Sequence, residues 1–262
     1  MLRALRTAAL GMSAQQSGVD NIANNLANAN TTGYKRSSIV FHDLLYQTIQ
    51  AAGQGEAQGT ARPATLQMGH GAAAIATVRN FTQGSLADTS NPLDIAINGD
   101  GFLQVQMPDG TIGYTRDGSL TRSSEGELVT QSGLAVEPSL TIPPEAVEIH
   151  ISQDGMVSVR IQGEPEMVQV GQFELARFSN PGGLNPLGGN LFAVTEASGE
   201  PTIGTPGTDG LGTTMQGYVE SANVDVVQEM VNLITAQRAY EINSKMITTS
   251  EEMMQITNNM KR

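Results

Sequence analysis

The sequence predicts an α+β fold: long N- and C-terminal helices that pair as a coiled coil, with an all-β domain and an extended connector inserted between them. Both chain ends carry apolar residues at helical spacing, whereas the middle alternates and is rich in turn dipeptides. A stretch rich in Gly, Ala and Gln separates the first helix from the β region. We expect a helical bundle over 1–30 and 223–262, a connector over 31–94 and 205–222, and an outer β domain over 95–204.

Composition limits the kinds of site that the chain can hold. Among 262 residues there is no Cys, which excludes disulfides, thiolate catalysis and Cys-based metal sites. The formal charge is −12 and is unevenly placed. Residues 1–36 carry a net +3 and residues 220–262 a net −2, so the region between them holds −13. An acidic middle without a basic stripe argues against a nucleic-acid partner.

The N-terminal helix is predicted from a single apolar row. Its members alternate three and four residues apart, which is the rhythm of a coiled-coil seam with one polar position. The row consists of Leu5, Ala8, Met12, Gln15, Val19, Ile22 and Leu26. Asn28, Asn30 and Gly33 follow it as candidate stop residues.

The C-terminal helix is predicted over residues 226–260, a stretch without Pro or Gly, with Asn223 as a candidate cap. It carries two apolar rows, and a helix with two such rows contacts more than one neighbour. The first row comprises Val226, Met230, Leu233, Gln237, Tyr240, Ile247 and Met254. The second comprises Ala239, Ile242, Met246, Thr249, Met253, Ile256 and Met260.

The middle of the chain predicts short antiparallel strands. Apolar residues alternate over 147–151 and over 157–161, and Gln153-Asp154-Gly155 between them indicates a hairpin. Residues 181–190 and 199–212 are interpreted as loops or turns. Residues 50–71 are predicted to be a flexible linker in the monomer that becomes clamped between subunits in an assembly.

No catalytic, metal or cofactor site is predicted. The three histidines are scattered, and no nucleophile-elbow, phosphate-loop or dinucleotide motif occurs. Acidic pairs such as Asp94 with Asp100 lie in turn-like sequence, which leaves a periplasmic glycan hydrolase or binding module open as an alternative. A secreted adhesin-like β protein is a further alternative.

The chain offers no apolar run of roughly 18 residues, so no membrane insertion is expected. The first residues, MLRALRTAALGMSAQQ, have basic residues ahead of an apolar run that polar residues interrupt early. We interpret this stretch as part of the mature helix and expect export without a cleavable signal peptide.

Four segments together resemble the flagellar rod and hook axial proteins. IANNLANANTTGYKR (22–36) resembles the N-terminal signature of that family, and QGYVESANVDVVQEMVNLITAQRAYEINS (216–244) resembles the C-terminal one. NGDGFLQV (98–105) and YTRDGSLTRSSEGELVTQSG (114–133) are similar to β-domain motifs of the family. The length and FHDLLYQTIQ (41–50) resemble the distal-rod branch, with a proximal rod or hook paralogue as the alternative.

The resemblance implies a structural protein that polymerises with itself into a hollow helical shaft, with terminal helices inside and the β domain outside. Its implied partners are the proximal rod and hook proteins, the outer P and L rings, and the type III export apparatus. The implied location is the basal body, in the rod that crosses the periplasm. The acidic β domain would then form an outer surface that does not adhere to the rings.

Particular residues acquire expected roles from the resemblance. The asparagines and glycine of the signature are expected to form a polar ladder and turn where the helix ends: Asn24, Asn25, Asn28, Asn30 and Gly33. Helix packing within and between subunits is expected from Leu5, Met12, Val19, Ile22, Leu26, Val226, Met230, Leu233, Tyr240, Ile242, Met246, Ile247, Met253 and Ile256.

Overall fold

The computed structural model describes residues 2–50, 65–163 and 166–260. It divides into two compact units. Unit 1 comprises residues 1–26, 37–78 and 225–262, and unit 2 comprises 27–36 and 79–224. The central part of the linker predicted over 50–71 lies outside the described residues, so its expected ordering on assembly stays a prediction.

Unit 1 holds the two long helices and two small strand pairs. Helix α1 spans Leu2–Ala27 and helix α2 spans Val226–Asn259, as the apolar rows predict. Strand β1 (Ser37–Asp43) pairs with β4 (Ala72–Arg79), and β2 (Gln47–Gln50) pairs with β3 (Leu66–Met68). All four strands lie within the segment predicted as an extended connector.

The start of α2 corrects the predicted cap. Asp225 occupies the N-cap, and its side chain accepts hydrogen bonds from the backbone N–H groups of Val227 and Gln228. Asn223 lies two residues too early for that role. Its amide instead binds backbone within unit 2, including the Thr82 carbonyl at 3.0 Å. A carboxylate at this cap also suits the positive end of the helix dipole.

Unit 2 is built from short strands, and those of its described residues pair antiparallel. Its largest sheet has the order β16-β17-β8-β7-β15-β18, with β11 also on β7. The strands of this sheet are β7 (Phe102–Gln106), β8 (Ile112–Thr115), β11 (Val136–Glu137), β15 (Leu175–Arg177), β16 (Asn185–Gly188), β17 (Leu191–Ala193) and β18 (Thr202–Gly204).

The remaining strands form a three-stranded sheet, β12-β13-β14, and three pairs, β5-β20, β6-β19 and β9-β10. The predicted hairpin is confirmed, with Ile149 opposite Val159 and Ile151 opposite Val157. These strands are β5 (Leu86–Asp88), β6 (Ile95–Asn98), β9 (Leu120–Arg122), β10 (Leu128–Thr130), β12 (Ala146–Ile151), β13 (Met156–Ile161), β14 (Met167–Gln172), β19 (Thr213–Gln216) and β20 (Tyr218–Glu220).

Two segments predicted as loops contain strands. Residues 181–190 include β16, and residues 199–212 include β18. Both are edge strands of the large sheet, where Pro186 costs no hydrogen bond that a central strand would need. Their Gly and Pro content therefore reflects edge positions and tight turns rather than irregular structure.

Unit 2 has an apolar core and a second, smaller cluster that is rich in aromatic residues. Phe173, Leu175, Val157 and Val159 are fully buried in the main cluster. A second cluster stacks aromatic rings edge to face, with the Tyr114 and Phe178 centroids 4.9 Å apart. Such burial supplies the main free energy that holds an isolated β domain together.

Candidate functional site: polar networks of the signature segments and the exposed surface of α2

Asn25 is the centre of a buried polar network in unit 1. It is wholly buried, and its side chain both donates to the Ser37 carbonyl at 2.8 Å and accepts from the Ser37 N–H at 3.0 Å. Asn21 also donates to the Ser37 carbonyl, at 2.8 Å. The Asn25 amide lies 3.4 Å from the buried Glu229 carboxylate of α2. This network links α1, the first residue of β1 and the first turn of α2.

The other signature residues have different surroundings. Asn24 and Asn30 are exposed, and Asn28 is half-buried and accepts a hydrogen bond from the Thr31 hydroxyl. Gly33 is buried with φ +67°, and a Cβ there would lie 2.7 Å from the backbone nitrogen of Asp117. Only glycine fits this turn, because the left-handed backbone disfavours a side chain and the backbone of Asp117 leaves no room for one.

A buried ionic cluster in unit 2 joins the two signature segments. Lys35 Nζ lies 2.6 Å from Glu220 Oε1 and donates to the Thr82 carbonyl at 2.8 Å. Arg116 Nε lies 3.1 Å from Glu220 Oε2, and its guanidinium also donates to the carbonyls of Gly99 and Gly101. The Glu220 backbone carbonyl accepts from the Gly33 N–H at 2.7 Å.

The cluster holds two cations against one buried carboxylate, since Asp100, the further carboxylate that acts on Arg116, is exposed. Burial lowers the pKa of the Lys35 ammonium, and the Glu220 carboxylate opposes that change. Burial likewise lowers the pKa of Arg116, again against the attraction of Glu220. The carboxylate is therefore the common partner on which both buried cations depend.

The surface of α2 is unusual for a helix of a folded chain, because its large apolar residues are mostly exposed. Its buried residues are Glu229, Ala236 and Ser250, which form a narrow stripe of small or polar side chains. Ile242 is 62% exposed. The other exposed large apolar residues of the helix are Val226, Val227, Met230, Val231, Ile234, Tyr240, Met246, Met253, Ile256 and Met260.

Members of the predicted packing rows therefore divide by burial. Leu5, Met12, Val19, Ile22 and Leu26 of α1 are half-buried, as are Leu233 and Ile247 of α2. The remaining predicted residues of α2 are exposed: Val226, Met230, Tyr240, Ile242, Met246, Met253 and Ile256. Because the structure contains one chain, the packing of these residues between subunits stays a prediction.

Two close approaches describe how α1 and α2 meet within unit 1. One is the contact between Asn25 and Glu229, and the other lies between Gly11 and Asn243. A Cβ added at Gly11 would lie 3.1 Å from the Asn243 amide nitrogen. Beside these approaches an open groove of about 370 Å³ is lined by Gln16 and Val19 of α1 and by Gln237, Tyr240 and Glu241 of α2.

Several residues of these networks were not singled out from the sequence: Ser37, Lys35, Arg116, Glu220 and Glu229. Lys35 and Glu220 lie inside the two signature segments, so the signatures themselves contained the signal. The sequence pattern does not reveal that Lys35 pairs with Glu220, because two charged residues 185 positions apart produce no periodicity. Among the described residues, no group of three or more His, Cys, Asp or Glu side chains is placed to hold a metal ion.

A helix that crosses a bilayer needs about 20 consecutive, mostly apolar residues. Neither α1 nor α2, within the residues that the structure describes, is long and apolar enough to cross a membrane.

Three family models match the chain in order. Residues 5–35 match the flagella basal body rod protein model, and residues 96–159 match the flagellar hook protein FlgE/F/G D1 domain. Residues 215–260 match the flagellar basal body rod FlgEFG protein C-terminal model. The first and last models cover both signature segments except Arg36, and they cover the residues of the Asn25 network in α1 and α2.

Full-length relatives agree with these models. The flagellar basal-body rod protein FlgG of Borreliella burgdorferi is 50% identical over 100% of both chains. That of Caulobacter vibrioides is 47% identical over 99% of this chain and 100% of its own. FlgF of the same organism, a paralogue, is 38% identical over 90% of this chain and 88% of its own.

The signature networks, the inserted β unit and these matches together define a flagellar axial protein. The chain belongs to the FlgE/F/G family of flagellar basal-body rod and hook proteins. Its function is that of a structural subunit of the flagellar rod, and the expected distal-rod branch is confirmed by full-length relatives named FlgG. The family is a structural one, and its location is the flagellar basal body.

Proposed function

We propose that this chain polymerises into the hollow helical drive shaft of the distal rod, which transmits motor torque across the periplasm to the hook. The observation that carries the proposal is the exposed apolar surface of α2, from Val226 to Met260. Burying one such side chain stabilises an interface by roughly 1.5–3 kcal/mol, so a few shared positions suffice to drive assembly. Subunits joined head to tail by a rotation that does not close form a helical filament.

Helices α1 and α2 pair as a coiled coil in this proposal and line the lumen through which export substrates pass. The Asn25–Glu229 contact and the close approach of Gly11 to Asn243 support the pairing. The proposal keeps the predicted boundaries, with the bundle over 1–30 and 223–262, the connector over 31–94 and 205–222, and the outer domain over 95–204. The half-buried row of α1 contributes the intramolecular seam.

The partners of the proposed shaft follow from its position. Proximal rod proteins and the hook protein contact its two ends, the P and L rings surround it, and the type III export apparatus delivers its subunits. The net −13 between residues 36 and 220 gives the outer surface a repulsive character toward other acidic surfaces. Screening over about 8 Å at physiological salt keeps that repulsion short-ranged.

Assembly of the purified chain followed by image reconstruction tests the proposal. We expect hollow filaments whose inner wall is made of α1 and α2 and whose outer surface is made of unit 2. Reconstructed filaments with unit 2 around the lumen would contradict the arrangement. A peptidoglycan zymogram addresses the hydrolase alternative, and lysis that one carboxylate substitution abolishes would favour the enzyme.

A further inference from the structure

Apolar residues of α2 lie on both sides of its buried stripe. Ala236 marks the centre of that stripe. With about 100° between successive helical residues, Gln237 lies about 100° to one side of Ala236 and Ile242 about 120° to the other. Helix α2 therefore presents two different surfaces, and one neighbouring helix cannot cover both.

One of these sides forms the groove with α1. Val19 is half-buried and Tyr240 is 42% exposed, so the groove is an apolar cleft that remains open in a single chain. The opposite side is a ridge, defined here by Ile242, Met246, Met253 and Ile256. Each of the four ridge side chains is at least 44% exposed.

Near Ile242, the charges at the groove and at the ridge are of opposite sign. Glu241 lines the groove, whereas Arg238 and Lys245 stand four residues before and three residues after Ile242 on the ridge. All three charged side chains are exposed. Within the described residues, none of the three makes an ion pair. Charge complementarity thus accompanies the complementarity of ridge and groove.

We propose that the α2 ridge of one copy docks in the α1–α2 groove of a second copy, with Arg238 facing Glu241 of that copy. The inference rests on the proposed function and specifies its contact. Because ridge and groove occupy different sides of one helix, the contact is heterologous and each bound copy offers a new ridge. The occupant is a second copy rather than a foreign helix, since the chain itself carries the matching charge and shape.

Mixing two charge variants tests the facing pair. In Glu241→Lys a basic groove meets a basic ridge, and in Arg238→Glu an acidic ridge meets an acidic groove. We expect each variant alone to need about fivefold more protein to polymerise, the upper end for an exposed ion pair. An equimolar mixture restores wild-type assembly, because alternating copies match at every contact. A mixture no better than either variant overturns the facing pair.

The mixing experiment separates contacts between copies from effects within one helix. Arg238 and Glu241 are three residues apart, so each substitution also alters its own helix. That effect stays inside each copy, and mixing cannot repair it. Circular dichroism of both monomers checks that α2 remains helical.

Cross-linking in assembled filaments tests the docking itself. Because the chain contains no Cys, only the introduced cysteines can form disulfides. Gln237→Cys is combined in turn with Ile242→Cys, Met246→Cys and Met253→Cys. Positions 237 and 246 are about 14 Å apart along one helix, too far for a disulfide within a copy. We expect at least one pair to give a ladder of dimers, trimers and longer chains after oxidation.

The matched control pairs Gln237→Cys with Thr248→Cys, which lies two residues from Met246 but on the groove side. It should give no ladder. Filaments in which no ridge pair cross-links, or in which the control does, overturn the inference and leave the proposed function standing. Failure of the unmodified chain to polymerise overturns the proposed function. A monomeric cross-link from Gln237→Cys to Ala57→Cys would assign the groove to the connector and overturn the inference.

Discussion

Lys35 Nζ and Glu220 Oε1 lie 2.6 Å apart in the interior of unit 2, although 185 positions separate the two residues in the chain. Arg116 Nε lies 3.1 Å from the second oxygen of the same carboxylate and forms an ion pair with it. The pair connects the turn after α1 to β20, the last strand before α2. Residues of both terminal signatures thus meet in one buried cluster.

Loss of the carboxylate should therefore be more damaging than loss of the lysine. Glu220→Gln leaves two buried cations without their partner, for which a loss of about 3–5 kcal/mol in the free energy of unfolding is expected. Lys35→Met leaves Arg116 and Glu220 as a matched pair and should cost clearly less. Hydrogen exchange of the unit 2 strand amides measures both. Equal losses, or a larger loss for Lys35→Met, would contradict the two-cation account.

The lowered pKa of Lys35 predicts a pH dependence of stability. Its folded pKa lies below the ordinary 10.5, so between these two values the unfolded chain binds more protons than the folded one. The contribution of Lys35 to the free energy of unfolding therefore rises with pH across that window. The difference in unfolding free energy between wild type and Lys35→Met should grow between neutral pH and about pH 10. A difference that stays constant or shrinks with rising pH would contradict the predicted direction of this pH dependence.

Asn25 should matter far more than a neighbouring asparagine of the same signature. Asn25→Ala removes the acceptor of the buried Ser37 N–H and a donor to the Ser37 carbonyl, at a cost of about 1–3 kcal/mol. Asn30 is exposed, and Asn30→Ala should stay within about 0.5 kcal/mol of wild type. Urea unfolding followed by circular dichroism compares them. Similar losses at both positions would show that the contribution of a signature asparagine to stability does not depend on its burial.

Two glycines of α1 offer a matched pair within one helix. A Cβ at Gly18 would meet the Phe41 ring at an ordinary 3.9 Å, so Gly18→Ala should stabilise the helix by about 0.5–1 kcal/mol. At Gly11 the added methyl would press on the Asn243 amide at 3.1 Å, so Gly11→Ala should gain less or lose stability. Thermal unfolding of both variants checks the order, and a larger gain at Gly11 would argue against its close approach to α2.

The periodicity of apolar residues predicted those elements whose pattern of burial repeats within one continuous segment. Both helices and the hairpin of β12 and β13 belong to this group. Edge strands such as β16 were missed because Pro and Gly, which suit an edge, also mark loops. The cap of α2 was placed two residues early, since Asn223 and Asp225 are both suitable cap residues and only the backbone distinguishes them.

Some features of the functional surfaces were likewise predictable from the sequence, and others were not. The two apolar rows of α2 were recognisable because heptad spacing is a local pattern. The buried stripe of Glu229, Ala236 and Ser250 was not, because small and polar side chains carry no hydrophobic signal. The Lys35–Glu220 pair lay beyond pattern reasoning, since only the tertiary fold brings the two residues together.

Ile242→Asp tests most directly the claim that the exposed surface of α2 drives polymerisation. The side chain is 62% exposed, so the variant should fold as a monomer with unchanged circular dichroism and unit 2 hydrogen exchange. Ile112→Asp, at a 45% exposed isoleucine of unit 2, is the matched control. Sedimentation and electron microscopy should show filaments for the control and soluble monomers for Ile242→Asp. Normal filaments from Ile242→Asp would contradict the account.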